Sequence, residues 1–371
     1  MRKWLASVLS AQHKQTIKQA TARFDERCLF IVARWSWLVP FYYLCTGSFA
    51  AQQRAGVAGR LAFVRREQHS NALSGFLRRH IHRLEKGLIM VPRKPLFARD
   101  YIIDTVAVFE KGLLLGLWSE SDKRWALSVL DEYFKVVIHR DENVSAAFTN
   151  FTSIKKQFNL ADDSVSTLDP ESFSVNSFPD DAMPYVFSER KTASISFSEL
   201  TALFQQRRSV RWFTDQPVPL SVLKDAIQSA AQAPSACNRQ SFKFISFTDP
   251  KDAQRVGAIA AGTAGFAQQF PCLLVLVGDL SAYPFEKDRH VIYIDGALAS
   301  MQLMLALETL GLSSCPINWA DEPVGSTKMQ AELDLPPFQR VIMLLAVGYP
   351  DPNGQIAYSA KKDINELMDP R

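Results

Sequence analysis

The chain has 371 residues, 47% of them hydrophobic and 22% charged, which is enough for one large or two ordinary domains and unlike a disordered chain or a repeat array. Its five cysteines, Cys28, Cys45, Cys237, Cys272 and Cys315, form no CxxC pair, which argues against a disulfide framework or a zinc knuckle and fits a reducing cytoplasm. The net charge of +4 hides an asymmetry: residues 1–100 hold 18 basic and 5 acidic residues, net +13, and the remainder holds 24 and 33, net −9, so an anionic partner is expected at the N-terminal end.

In chain order, residues 1–27 read as a basic amphipathic helix. The most apolar stretch follows, from Cys28 to Ala50, and no cleavable signal is evident before it. It is long enough to reach across a bilayer, but Arg34 and Pro40 interrupt it. Trp35, Trp37, Tyr42 and Tyr43 are residues that favour a membrane–water interface, and Arg23, Arg27, Arg54 and Arg60 flank the stretch. Two readings stand side by side: a monotopic or re-entrant contact at the inner face of the cytoplasmic membrane, or a buried helix pair in a soluble domain. Residues 58–90 read as a further helical stretch. Residues 98–118 and 123–140 carry helical spacing through Val106, Phe109, Leu113 and Leu117, then Trp125, Val129, Tyr133 and Val136. Residues 1–155 are therefore expected to be mostly helical.

Residues 156–197 change composition to Asp, Ser, Pro and Thr and read as a linker. The pattern then becomes mixed. Ser198 is a candidate N-cap, with Glu199 in the first turn of a helix running to Gln206, and Pro219–Gln232 is a second helix. Phe242–Thr248, Cys272–Gly278 and Val341–Gly348 read as strands, Ser313–Trp319 as a short extended segment, and Val291–Leu310 as a long apolar helix with small residues along it. Strands interleaved with helices predict a central mixed sheet covered on both faces, an α+β domain over residues 198–371.

Three clusters carry chemistry. Arg207-Arg208-Ser209-Val210-Arg211 offers three guanidiniums and a hydroxyl that can grip a phosphate, although a basic run at a helix end is commonly a solvated face. Ala233–Gln240 is small and polar, with amide side chains suited to a heterocycle edge, or else an ordinary turn. Cys315-Pro316-Ile317-Asn318-Trp319 follows the long helix, and on packing grounds alone is an edge strand bent at its proline.

These clusters in this order resemble the flavin-dependent nitroreductase family. The matching pieces are RRSVRWF at 207–213, APSACNRQSFKF at 233–244 and DGALASMQLMLALETLGLSSCPINW at 295–319, with the strand ending Val347-Gly348-Tyr349-Pro350 and a lysine-bearing tail. The resemblance implies a homodimer binding FMN, with NADH or NADPH reducing it and a small-molecule acceptor reoxidising it in a ping-pong cycle. It implies that Arg207 and Ser209 hold the FMN phosphate, with Arg208 beside them, and that Arg211 lies near the pyrimidine edge. Pro234, Ser235, Ala236 and Asn238 match the loop that reaches the flavin from the other subunit. Pro316, Ile317 and Asn318 match the segment beside the isoalloxazine, where Asn318 is the catalytic candidate. Lys361 or Lys362 matches a basic residue closing the phosphate site. No acid–base histidine is required by such chemistry, and His290 is the only histidine after residue 139.

The sequence departs from the family in two places. The interval Ala258–Gln269 has no charge where a second basic residue often sits, Lys251 and Arg255 lying before it, and Asn318 stands where many nitroreductases have an acidic residue. Both put nitro-compound reduction in doubt. In the N-terminal half, His80, His82 and Glu85 could suggest a metal, but residues two apart on a helix do not share a face, so no metal site is expected. That His-Arg-Leu-Glu-Lys-Gly run resembles one preceding nitroreductase-like domains in proteins associated with bacterial surface-polysaccharide synthesis, which names a pathway and not a reaction; with the basic N-terminal part, the aromatic stretch at 28–50 and the uncharged interval, a membrane-associated accessory protein of polysaccharide assembly with structural or sensory FMN is the second reading. No helix-turn-helix, zinc or RNA-binding signature accompanies the basic charge, so no nucleic-acid partner is expected.

Overall fold

The computed structural model describes residues 11–160 and 182–371, and its contacts divide the chain into two compact units between Arg54 and Ala55. Residues 161–181, half of the expected linker, lie outside the described residues, as do residues 1–10.

In the first unit, α1 (Ala11–Arg34) is followed by a single 3-10 turn, Ser36–Leu38, and by α2 (Val39–Thr46). Pro40 sits in the first turn of α2, where its missing N–H costs nothing, and Gly47 ends the helix in the left-handed region with φ 65°. The apolar stretch bends by 118° between Phe24–Arg34 and Ser36–Thr46. Phe30, Trp37, Phe41 and Leu44 are exposed on it, so a buried helix pair does not describe this segment.

In the second unit the stretch expected as one helix over 58–90 is two. α3 (Ala50–Val64) ends before a 3-10 turn at Arg66–Gln68, and α4 (Ser70–Leu88) restarts from His69 in extended conformation. Ser70 and Asn71 are residues that favour a helix start over a helix interior, which is the physical reason for the break. α5 (Ile102–Leu114), α6 (Glu120–Val136) and α7 (Glu142–Gln157) follow. Ser119 caps α6 by accepting from the Asp122 N–H, and Asp141 caps α7 by accepting from Asn143 and Val144. Leu73, Ile81, Leu84, Val106, Phe109, Val129, Tyr133 and Phe151 fill one core among these helices. Leu117 lies beyond the end of α5, past Gly116 with φ 62°, and is exposed.

The histidine-bearing run belongs to this core. His80 is 4% exposed, with Nδ1 at 3.2 Å from the Thr105 hydroxyl and its ring 3.9 Å from that of Phe76. His82 turns instead to Glu85, which also accepts from the Trp125 indole at 2.9 Å. A Cβ on Gly87 would stand 2.3 Å from the Phe97 ring, so glycine lets that ring close over the end of α4. No group of three potential metal ligands is found among the described residues.

The remaining elements are α8 (Phe197–Gln206), α9 (Leu220–Ala230), β1 (Phe242–Phe247), α10 (Pro250–Gly257), β2 (Cys272–Asp279), α11 (Val291–Thr309), β3 (Ser313–Asn318), α12 (Pro323–Glu332), β4 (Gln339–Gly348) and α13 (Ile364–Leu367). The cap of α8 is Ser196 rather than Ser198. Three residues separate Ser196 from Glu199, and the two form a reciprocal capping box. The four strands are antiparallel in the order β1-β2-β4-β3, and a parallel bridge from Ser209 to Ser314 makes the sheet mixed at its β3 edge. Every residue of β2 is buried, as a strand covered on both faces must be. Leu273, Val275 and Val277 pack with Val256 of α10, while Cys272 and Leu274 pack with Leu223 of α9 and Leu303 of α11. The α+β arrangement expected from the sequence is therefore present.

Helix α4 seats directly on this second layer. A Cβ on Gly75 would lie 2.5 Å from that of Ala282, and Asn71 donates to the Asp279 carboxylate at 2.9 Å.

Burial and the neighbouring Arg79 and Arg83 charges lower the His80 pKa from 6.5 to about 3. The unfolded chain therefore takes up that proton first, so this contribution to stability is complete above about pH 6.5 and is lost as the pH falls toward 3. The unfolding free energy of wild type relative to His80→Gln should fall by about 2 kcal/mol between pH 7 and pH 5. Urea titrations at both values check this, and parallel pH profiles for the two proteins would contradict it.

Candidate functional site

The first cluster follows α8. Its segment is held along the edge of the sheet: Ser209 bridges to Ser314, and the Val210 N–H donates to the Ser314 carbonyl at 3.0 Å. Val210 is buried in the core, which fixes the register of its neighbours. Arg207, the residue closing α8, is half-buried, and its Nε is buried without a partner, as is the Ser314 hydroxyl. Arg208 donates to the Arg207 carbonyl at 3.1 Å, and Arg211 places its guanidinium 5.8 Å from the centre of the Phe266 ring. Arg211 also acts on Cys315, whose thiol is pushed up by burial and held back by that charge.

Glu308 of α11 lies beneath this edge. It accepts from Gln206 at 3.4 Å and from the Ser313 hydroxyl at 3.3 Å. Burial raises its pKa, while Gln206, Ser313 and the Arg207 charge oppose the rise. Buried donors without partners on Arg207 and Ser314, with Ser209, Arg208 and Arg211 on the same segment, fit an oxyanion, because an unsatisfied buried polar group costs free energy that a ligand recovers.

The third cluster lies on the same edge. β3 pairs with β4 on one side only, and beyond the Ser209 bridge its outer edge meets no other described backbone. Pro316 is half-buried, Ile317 is buried, and Asn318 is exposed at the end of the strand. Arg207, Ser209 and Arg211 are thus aligned with the strand that carries Pro316–Asn318.

The second cluster is built elsewhere in the chain. After α9 the loop turns through Cys237 (φ 55°), Asn238 (φ 51°) and Gln240 (φ 51°), all in the left-handed region. Pro234 is exposed; Ser235 accepts from the Gln240 N–H at 3.1 Å, and the Asn238 amide oxygen accepts from Gln240 at 2.9 Å. The Ala236 N–H donates to both Asp295 oxygens at 3.1 Å. Asp295 is 2% exposed, and burial raises its pKa against the pull of that hydrogen bond and of Arg239. Arg239 is itself buried, donates to the Ala236 carbonyl at 3.3 Å and lies 4.8 Å over the Tyr283 ring.

The chain beyond β4 pairs back along the first cluster: Thr214 donates to Tyr349 at 2.9 Å and Asp351 to Trp212 at 3.0 Å. Lys361 and Lys362 lie on the exposed tail, with Lys362 3.8 Å from Glu366. Arg255, the nearest cation before the uncharged interval, is engaged with Glu332 and with Asp252.

Sequence reasoning missed Asp295, Glu308 and Ser314. Carboxylates within an otherwise apolar helix were a readable signal for the first two. Ser314 had none, since its role arises from a pairing across the sheet edge.

Two overlapping matches to the Nitroreductase family model span residues 204–269 and 252–349. The chain is similar to the NADH dehydrogenase of Thermus thermophilus, 29% identical over 181 residues, covering 40% of this chain and 85% of that protein. It is similar to iodotyrosine deiodinase 1 of Pongo abelii, 22% identical over 201 residues, covering 46% of this chain and 68% of that protein. Among solved structures, an FMN-dependent nitroreductase from Clostridium difficile R20291 is similar with a TM-score of 0.40 and 21% identity, covering 46% of this chain and 99% of that one.

Removing the buried carboxylate leaves the Ala236 N–H without an acceptor. Asp295→Ala should therefore cost about 1–3 kcal/mol of stability. Equilibrium denaturation measures it, and an unchanged midpoint would show that the loop does not depend on this contact.

Proposed function

We propose that this protein, whose residues 204–349 match the Nitroreductase family model, is an FMN-dependent oxidoreductase that works as a homodimer and passes two electrons from NADH or NADPH to a small-molecule acceptor. The observation that carries the reading is the pair of buried, unpartnered donors, Arg207 Nε and Ser314 Oγ, beside Ser209 at the β3 edge. Arg207 and Ser209 hold the phosphate, with Arg208 adjacent and Lys361 or Lys362 closing over it from the tail. A phosphate monoester carries nearly two negative charges, and a guanidinium with a tail ammonium offsets them. Arg211 stabilises negative charge at the pyrimidine edge, which favours the reduced form. Pro316, Ile317 and Asn318 line the ring, and Asn318 is the side chain nearest the chemistry. The cofactor supplies the hydride chemistry when bound, while the chain supplies position and electrostatics.

The dimer is supported by surface that the single chain leaves open. Ile294, Leu298 and Met301 form an exposed stripe on α11, and Phe197 of α8 and Tyr358 of the tail are 86% and 87% exposed. A second copy covering these faces lets Pro234, Ser235, Ala236 and Asn238 reach the cofactor held by the other chain. The spectrum of the purified protein tests the proposal: flavin absorbance should be present, or appear on adding FMN, and should bleach anaerobically with NADPH or NADH. Arg207→Met should weaken FMN binding about tenfold or more, the loss of one charge-assisted hydrogen bond. A colourless protein that takes up no FMN would refute the proposal.

A second reading is favoured by one observation. The bent pair Phe24–Arg34 and Ser36–Thr46 exposes Phe30, Trp37, Phe41 and Leu44, between flanking arginines. On this reading the protein is a membrane-associated accessory factor of polysaccharide assembly, using bound FMN with little turnover. Interfacial aromatics and cations together favour an anionic leaflet. The wild-type chain should co-sediment with vesicles containing phosphatidylserine, and Trp37→Ser with Phe41→Ser should abolish this. Indifference of the wild type to such vesicles would exclude the second reading and leave the first intact.

A further inference from the structure

The loop 235–240 holds three non-glycine residues at positive φ, a backbone that persists only where its surroundings over-determine it. Asp295 fixes its start from within the sheet layer. Its other support comes from the helical bundle. Arg78 of α4 donates from Nε to the Asn238 carbonyl at 3.0 Å, across a separation of 160 residues. Its Nη1 pairs with Asp122 of α6, and its guanidinium lies 5.2 Å over the Trp125 ring.

Each of those partners is itself immobilised. The Ser119 hydroxyl donates to Asp122 at 2.8 Å, while the Asp122 N–H donates back to Ser119 at 3.1 Å. The Trp125 indole is anchored on Glu85. The Arg78 side chain is 17% exposed, so a loop that swung away would strand a largely buried guanidinium N–H. The near-contact of Gly75 with Ala282 leaves α4 no freedom to follow the loop outward.

We infer that Arg78 is a positioning residue, through which the helical bundle holds the 235–240 loop in the conformation that reaches the cofactor of the second copy. This rests on the oxidoreductase reading above. The bundle is then a working part of the flavin site, and a displacement of α4 is a displacement of the loop.

Cys237 lies in the loop, half-buried, and reports on it without any cofactor. The full-length chain is treated with N-ethylmaleimide, the rate at each cysteine is read from its peptide, and FMN is then titrated in a separate sample. Arg78→Met should speed Cys237 alkylation about tenfold and raise the FMN Kd about tenfold, with the rate at exposed Cys45 unchanged. Arg78→Lys should recover part of both, having one donor in reach but not the fork. Leu84→Ala, in the bundle core, should lower Tm and leave the Cys237 rate as in wild type. Should Arg78→Met fail to fold, Asp122→Asn, which loosens the guanidinium in place, carries the same expectations. Unchanged Cys237 and unchanged Kd in a folded variant would overturn the inference. So would an unmasked Cys237 with unchanged Kd, since the loop would then be held for stability alone. A wild-type chain that binds no FMN, while Arg78→Met still unmasks Cys237, would sink the oxidoreductase reading and leave the clamp standing.

Discussion

The hydrogen bond from the Val210 N–H to the Ser314 carbonyl, with the buried Val210 side chain behind it, sets where the cations of the first cluster stand. Arg207, Ser209 and Arg211 are close in sequence, but closeness gives no direction. Pairing with the outer edge of β3 supplies it, laying the segment along the strand that also carries Pro316, Ile317 and Asn318. An edge strand is ordinarily a liability, because its free backbone groups invite pairing with other chains. Here half of that edge is closed by the Ser209 bridge, and the rest lies open beside a basic segment.

The same economy governs the other side of the sheet. The Asp295 carboxylate is buried and would be costly without a donor, and the half-buried Ala236 N–H supplies one. Together they tie the 235–240 loop to the second turn of α11, the helix that also carries the exposed Ile294, Leu298 and Met301 on an adjoining face. One helix therefore carries both the anchor of the loop and an exposed apolar stripe, so the two are held in a fixed relation.

Much of this was legible in the sequence, and the limits are physical. Strands and long helices announce themselves by the period of their apolar residues, and β2, β4 and α11 fall within a residue or two of their expected bounds. The break at Arg66–Gln68 was not legible, since apolar residues continue on both sides and only the restart at Ser70 marks it. The cap of α8 was displaced by two residues because two serines compete there, and only the spacing to Glu199 decides between them. The clusters themselves could be named only as an ordered set, since each alone also reads as a solvated face, a turn or an edge strand. Which elements brace them could not, because Arg78 and Asn238 are joined by topology alone.

Charge illustrates the limit most clearly. The excess of +13 over residues 1–100 suggested an anionic partner for the whole N-terminal part. In the second unit many of those arginines are already used. Arg60 pairs with Glu286 at 3.2 Å, Arg66 lies 4.5 Å over the Phe76 ring, Arg83 lies 3.7 Å over the Tyr101 ring, and Arg78 is divided between Asp122 and the 235–240 loop. Guanidinium groups satisfied in this way are structural, and their charge is no longer a measure of what the surface attracts. Arg27 and Arg34 are exposed on the same bent segment as Trp37 and Phe41, and Arg54, Arg65, Arg93 and Lys94 are exposed as well. The +13 of the first hundred residues is therefore divided: part of it braces the bundle and, through Arg78, the 235–240 loop, and only the part that stays at the surface bears on what that surface attracts.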